Sequence, residues 1–232
     1  MENVPISDTV ILVPGLWMTG LELGLLRRRL VHEHRFDVQV FAYPTMHGDP
    51  AAISSELADT VRGAAGRRVH LVGHSLGGAF VFRALSDCAA ELTGNAVLLG
   101  SPLNGSRAAC GALRWPMLRP LLGSHVVHEL AEPCGREWHG PAALGAIAGS
   151  RSLGTGQFFA HFDEDNDGTV AVRETVIPGL ADHLVLPHSH IGMLFAADVA
   201  AQVAHFLRRG HFAGEASSRS ISGSDQPPPS AR

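Results

Sequence analysis

The segment Gly73-His74-Ser75-Leu76-Gly77 spells G-x-S-x-G, and its flanks decide what that pattern can mean. An apolar run over 69–72 precedes it and an apolar helical run over 76–85 follows it, so Ser75 stands at a sharp strand-to-helix turn. Such a turn forces strained backbone angles on the serine, while glycine on either side lets neighbouring chain approach without a Cβ clash. The hydroxyl then stands at the carboxyl end of the strand, and the N–H of Leu76 faces any oxyanion formed there. That is the setting of a nucleophile that passes through an acyl intermediate. A phosphate-binding loop is the competing reading, but it needs G-x-x-x-x-G-K-[ST], and all 18 basic residues of this chain are arginine. The same absence of lysine excludes Schiff-base, pyridoxal and kinase chemistry.

Other features follow in a fixed order. An apolar strand over 10–13 runs into Pro14-Gly15-Leu16-Trp17. Gly100-Ser101-Pro102-Leu103-Asn104-Gly105-Ser106 follows a strand at 96–99. Asn166-Asp167-Gly168-Thr169-Val170 and Ser189-His190-Ile191-Gly192-Met193-Leu194 come late. Taken together, over about 9–209, these residues resemble the α/β-hydrolase superfamily in its lipase and esterase branch, with likeness to GPI-inositol-deacylase-like and bacterial lipase-like hydrolases. Pro14 stands where that family usually has histidine in its oxyanion loop. The donor there is a backbone N–H, so proline at 14 does not disturb it. The resemblance implies an oxyanion hole built from the N–H groups of Leu16 and Leu76, with Trp17 the alternative to Leu16.

A serine hydroxyl needs a base, and the base needs a carboxylate to fix its tautomer; in this fold the chain order is serine, acid, histidine. The acidic cluster after Ser75 offers Asp163, Asp165 and Asp167, and the resemblance selects Asp167. Residues 163–174 also fit D-x-[DN]-x-[DN]-G-x5-E, a calcium loop with Asp163, Asp165, Asp167 and Glu174 as ligands. Glycines at 154 and 156 and Pro178-Gly179 interrupt the helices such a loop requires, so the match is read as accidental, with no metal and no cofactor expected. On that reading Glu174 has no part in catalysis. His188 and His190 both follow Pro187, past a short strand at 184–186, whereas His183 precedes that strand. The resemblance places the base on His190, with His188 as fallback. His74 is expected to point away from the nucleophile and to be structural.

The elements that must position these residues alternate. Strands are expected at 10–13, 38–41, 69–72, 96–99, 143–148 and 184–186, and helices at 21–30, 50–63, 76–85 and 194–207. Asp49-Pro50 supplies an N-cap and a first-turn proline for the second helix. The fold class is α/β: a mostly parallel sheet with helices on both faces and a small or minimal cap. Residues 1–213 form one domain, in which 103–140 is a cap or pocket segment, and the Ser- and Pro-rich 214–232 is a disordered tail. With 45% hydrophobic residues in 232 there is material for one core. A net charge of −4 gives no electrostatic reason to bind nucleic acid. Cys88, Cys110 and Cys134 lack CxxC spacing, so neither a zinc ribbon nor a disulfide framework is expected. Absence of a basic leader or a long apolar run makes a cytoplasmic location the default.

The resulting expectation is a serine hydrolase of carboxylic esters acting through Ser75, Asp167 and His190. Its substrate is a small ester with an apolar acyl chain, for which Trp17 and Met18 shape the pocket. Acyl transfer or thioester hydrolysis uses the same residues. A non-catalytic calcium-binding or interaction protein is disfavoured because no triad member is missing.

Overall fold

The computed structural model describes residues 8–45, 48–64, 67–115, 130, 135–153 and 162–214. Six short strands, β1 (Thr9–Val13), β2 (Asp37–Val40), β3 (Val69–His74), β4 (Ala96–Leu99), β5 (Leu144–Gly149) and β6 (Asp182–Leu186), make one sheet in the order β2-β1-β3-β4-β5-β6. Every pairing is parallel. The four inner strands are buried along their whole length, because helices cover both of their faces; this is why they read as unbroken apolar runs rather than alternating ones.

Alternate side chains feed two cores. Ile11 and Val13 of β1 join Leu71 of β3 and Leu98 of β4 on one face, against Ile53, Leu57 and Val61 of α2 (Pro50–Gly63) and Phe80 and Leu85 of α3 (Leu76–Cys88). Here α1 is Gly24–His32. Val10 and Leu12 point the other way, with Val72 and Val97, against Leu26 and Leu30 of α1 and Val199, Val203 and Phe206 of a C-terminal helix, Ala197–Arg209. Local chemistry sets the helix ends. Asp49 Oδ1 accepts from Ala51 N–H at 3.2 Å with Pro50 in the first turn, and Gly210, at φ 79°, ends the C-terminal helix.

Several boundaries differ from the sequence expectation. The helix expected from residue 21 opens as a 3-10 turn, Leu21–Leu23, entered through Gly20 at φ 93°, and Leu21 lies outside the buried stripe. The last helix is likewise preceded by a 3-10 turn, Gly192–Phe195, and the extended Ala196 separates the two. A short helix absent from the sequence reading, α4 (Arg107–Leu113), starts where Ser106 Oγ accepts from Ala109 N–H; the C-terminal helix is therefore α5. His183 lies inside β6 rather than before it, with Nε2 2.8 Å from Thr175 Oγ1. Most of the expected cap, 116–129 and 131–134, and the tail from 215 lie outside the described residues. Among the described residues no helix is long and apolar enough to cross a membrane.

Candidate active site

Ser75 closes β3 with φ 54° and ψ −123°, a conformation that non-glycine residues seldom adopt. Its N–H donates to Leu99 C=O at 2.9 Å, so the turn is fastened to the end of β4. The sharp reversal brings α3 under the exit of β1. A Cβ on Gly77 would lie 2.3 Å from both Val13 and Pro14 carbonyl oxygens, so only glycine fits there. Ser75 is partly exposed, and among the described residues its hydroxyl makes no hydrogen bond.

Asp167 and His190, 23 residues apart in sequence, meet at the carboxyl ends of β4 and β5. His190 Nδ1 is 2.7 Å from Asp167 Oδ2, and His190 N–H donates to the Asp167 carbonyl at 2.9 Å. The Asp167 side chain is wholly buried; its Oδ1 accepts from Thr169 N–H at 2.9 Å and Val170 N–H at 2.7 Å. Those donors satisfy the carboxyl oxygen that His190 leaves open. Nδ1 carries the proton towards the carboxylate, which leaves Nε2 as the basic nitrogen. The backbone beside the pair is Gly100, at φ 52°. A Cβ there would come within 2.9 Å of Asp167 Oδ2 and 3.1 Å of His190 Nδ1. Ser75 is thereby one strand-end away from the pair, through its bond to Leu99. Among the described residues His190 is held by Asp167 and His74, and no hydrogen bond joins it to Ser75 Oγ.

Gly15 to Met18 form a turn in which Met18 N–H donates to Gly15 C=O at 3.3 Å and Trp17 takes φ 60°. Tyr43, the one tyrosine of the chain, donates from its hydroxyl to Pro14 C=O at 2.6 Å, and burial holds that phenol protonated well above its usual range. No backbone acceptor among the described residues takes the N–H of Leu16 or Leu76. The two neighbours Trp17 and Met18 part company. Trp17 is 50% exposed, while Met18 turns into the core with Sδ accepting from Gly15 N–H at 3.2 Å.

The remaining acidic residues do not gather at His190. Asp165 accepts through its main-chain carbonyl from Val172 N–H, and Asp163 stands at the head of the loop. His188 turns instead to Asp198 in the first turn of α5, with Nε2 2.8 and 2.9 Å from the two carboxylate oxygens. The carboxylates of 163–174 do not fit a calcium shell. Asp167 is committed to His190 and two N–H groups, and Glu174 to an arginine. Glu174 is 4% exposed; Oε1 accepts from Arg107 N–H at 3.0 Å and from its Nε at 3.1 Å, and Oε2 from Ala171 N–H. Arg107 also pairs with Glu164, which in turn pairs with Arg173. Sequence reasoning gave Glu174 no part outside calcium binding. In fact it ties the loop that carries Asp167 to the start of α4. Ser106 and Arg107, a cap followed by a cation, were the available signal.

His74 is buried, as expected of a structural residue, and makes one contact that the sequence does not show. It is completely buried, its ring centroid lies 4.8 Å from that of His190, and its Nε2 is 3.0 Å from the His190 carbonyl. Burial first, and His190 second, lower its pKa to about 3. Its position beside Ser75 is visible in the sequence; its contact with His190 is not.

No family model matches the sequence, and no curated protein matches it significantly. Solved structures do match in shape. The mature lipase BlEst2 of Bacillus licheniformis superposes with a TM-score of 0.65 at 19% identity, over 82% of this chain and 87% of that one. The metagenomic carboxyl esterase MGS0156 gives 0.64 at 20% identity, over 80% of this chain and 65% of that one. The type II thioesterase BorB from the borrelidin biosynthetic cluster gives 0.56 at 17% identity, over 88% and 92%. With its parallel sheet and two helical layers, the chain has the α/β-hydrolase fold.

Proposed function

We propose that this protein is a serine hydrolase of carboxylic esters. The observation that carries the reading is the buried Asp167–His190 hydrogen bond at 2.7 Å, next to a serine at positive φ on a strand-to-helix turn. In the proposed reaction Ser75 Oγ attacks the ester carbonyl while His190 Nε2 takes its proton. Asp167 stabilises the imidazolium through Nδ1–H without itself becoming protonated. The N–H groups of Leu16 and Leu76 hold the oxyanion, and the tetrahedral intermediate collapses as the imidazolium protonates the leaving alcohol. Water, deprotonated by His190, then hydrolyses the acyl-enzyme and regenerates Ser75. The acyl chain is apolar. Exposed Trp17, Ile191 and Phe195, all close in sequence to the proposed donor or base, support that choice.

A fluorophosphonate probe should label Ser75 alone among the serines, and labelling that survives in Ser75→Ala would sink the assignment. A panel of p-nitrophenyl esters of rising chain length, blanked with Ser75→Ala, then measures acyl preference. The thioesterase among the structural neighbours gives one specific reason to add a thioester arm to the panel. A kcat/KM for acyl thioesters above that for the matched oxygen esters would reassign the substrate class while leaving the residue roles intact.

A further inference from the structure

His74 is a buried, titratable side chain that the proposed chemistry leaves unused. Its Nε2 faces a main-chain carbonyl, which only accepts, so Nε2 carries the proton and Nδ1 is bare. Among the described residues that Nδ1 has no hydrogen-bond partner; it lies beside the 15–18 turn, where a Cβ on Gly15 would come within 3.3 Å of it. A buried imidazole with one nitrogen unsatisfied is a poor choice for packing alone, since an apolar side chain would fill the space without the lost hydrogen bond.

What the ring accomplishes is a connection. Among the described residues, the His74–His190 contact is the one hydrogen bond between the turn that carries the nucleophile, 73–78, and the loop that carries the base, 188–194. Asp167 holds His190 through the N–H and through Nδ1. Both of those bonds leave the His190 carbonyl, and the peptide plane beyond it, to be fixed by something else.

We propose that His74 is a positioning residue: its Nε2–H grips the main-chain carbonyl of His190 and so sets the distance from the base to Ser75. This rests on the reading of Ser75, Asp167 and His190 as the triad. Because the donor sits on the residue next to the nucleophile, one hydrogen bond links the two reacting segments directly. The ring stays neutral at any working pH, since burial suppresses its protonation. A charged His74 would stand 4.8 Å from the imidazolium formed during turnover and oppose it.

The test compares His74→Phe, His74→Gln and His74→Asn with His190→Ala. Phe keeps a ring but has no donor. The Gln amide nitrogen reaches the place of Nε2, whereas that of Asn stops near Nδ1. His74→Phe should lower kcat about 10- to 100-fold, the scale of a displaced catalytic group, with KM little changed. Phosphonylation of Ser75 by a fluorophosphonate, which reports activation without ester binding, should slow in parallel. His74→Gln should recover most of both rates and His74→Asn should not. A folded His74→Phe with wild-type kcat overturns the proposal. If that variant does not fold, equal kcat in the Gln and Asn variants overturns it instead. The triad reading fails separately: His190→Ala would then still react with the probe while His74→Phe would not, making His74 the base.

Discussion

Two histidine–aspartate pairs stand two residues apart on the loop leaving β6, and they are chemically different. His190 presents Nδ1 to Asp167, which is wholly buried and braced by two backbone N–H groups. His188 presents Nε2 to Asp198, whose side chain is 52% exposed. Burial works against the Asp198 charge, but hydrogen bonds from His188 and Val199 N–H outweigh it and hold the carboxyl below its usual range. The first pair leaves Nε2 for a nucleophile; the second has spent it on the acid. The identical residue types therefore give a buried, oriented imidazole in one place and a solvent-exposed hydrogen-bonded pair in the other. The differences are which ring nitrogen is used and how much water reaches the carboxylate.

The sharpest way to break this contrast is to neutralise each acid in turn. Asp167→Asn keeps the shape but allows the wrong tautomer of His190, and kcat should fall by ~10⁴, the size of that change in a serine protease. Asp198→Asn should leave ester hydrolysis near the wild-type rate. Equal losses in the two variants would erase the distinction.

A second contrast lies within the acid loop, where Arg107 supplies the positive charge that a calcium ion would otherwise bring. Arg107→Ala leaves the Glu174 carboxylate buried with its cation removed. Because the guanidinium is a third exposed, the expected destabilisation is about 2–3 kcal/mol, below that of a fully buried pair. Chemical denaturation measures it. Chelation with EDTA should leave the wild-type melting temperature unchanged, and a drop would revive the calcium reading.

Acid titration reads the burial of His74 separately, over a range of pH. His74 is neutral in the native state down to about pH 3, but binds a proton near pH 6.5 when unfolded. Between those values the unfolded chain holds the extra proton, so this residue removes stability as pH falls, at about 1.4 kcal/mol per pH unit. Wild type should therefore lose stability faster than His74→Gln between pH 6.5 and 3. Parallel curves would show that the ring is charged in the folded state.

The mildest expected change comes from Trp17→Ala. That side chain is exposed, so the melting temperature should hold while preference among long-chain esters shifts. Met18→Ala, by contrast, opens a gap in the core and should cost about 2–5 kcal/mol without a selective shift in chain length. The paired substitutions separate the surface residue from the buried one, two neighbours that adjacency in sequence groups in one pocket.

Sequence by itself determined the local structure. Apolar runs bounded by turn residues gave all six strands of the sheet, and Asp49-Pro50 gave α2 its start, because capping and patterning act over a few residues. The strand-to-helix turn at Ser75 was legible for the same reason, and chain order within a resembling family singled out Asp167 and His190 as candidates. Tertiary structure decided everything that depends on residues meeting from far apart. It placed Asp167 against His190 and not against His188, turned His74 onto the His190 carbonyl, and gave Glu174 an arginine in place of a metal. Those pairings span 23, 116 and 67 residues. No local pattern encodes them, because what selects each partner is the low-dielectric interior formed only when the sheet and its two helical layers close.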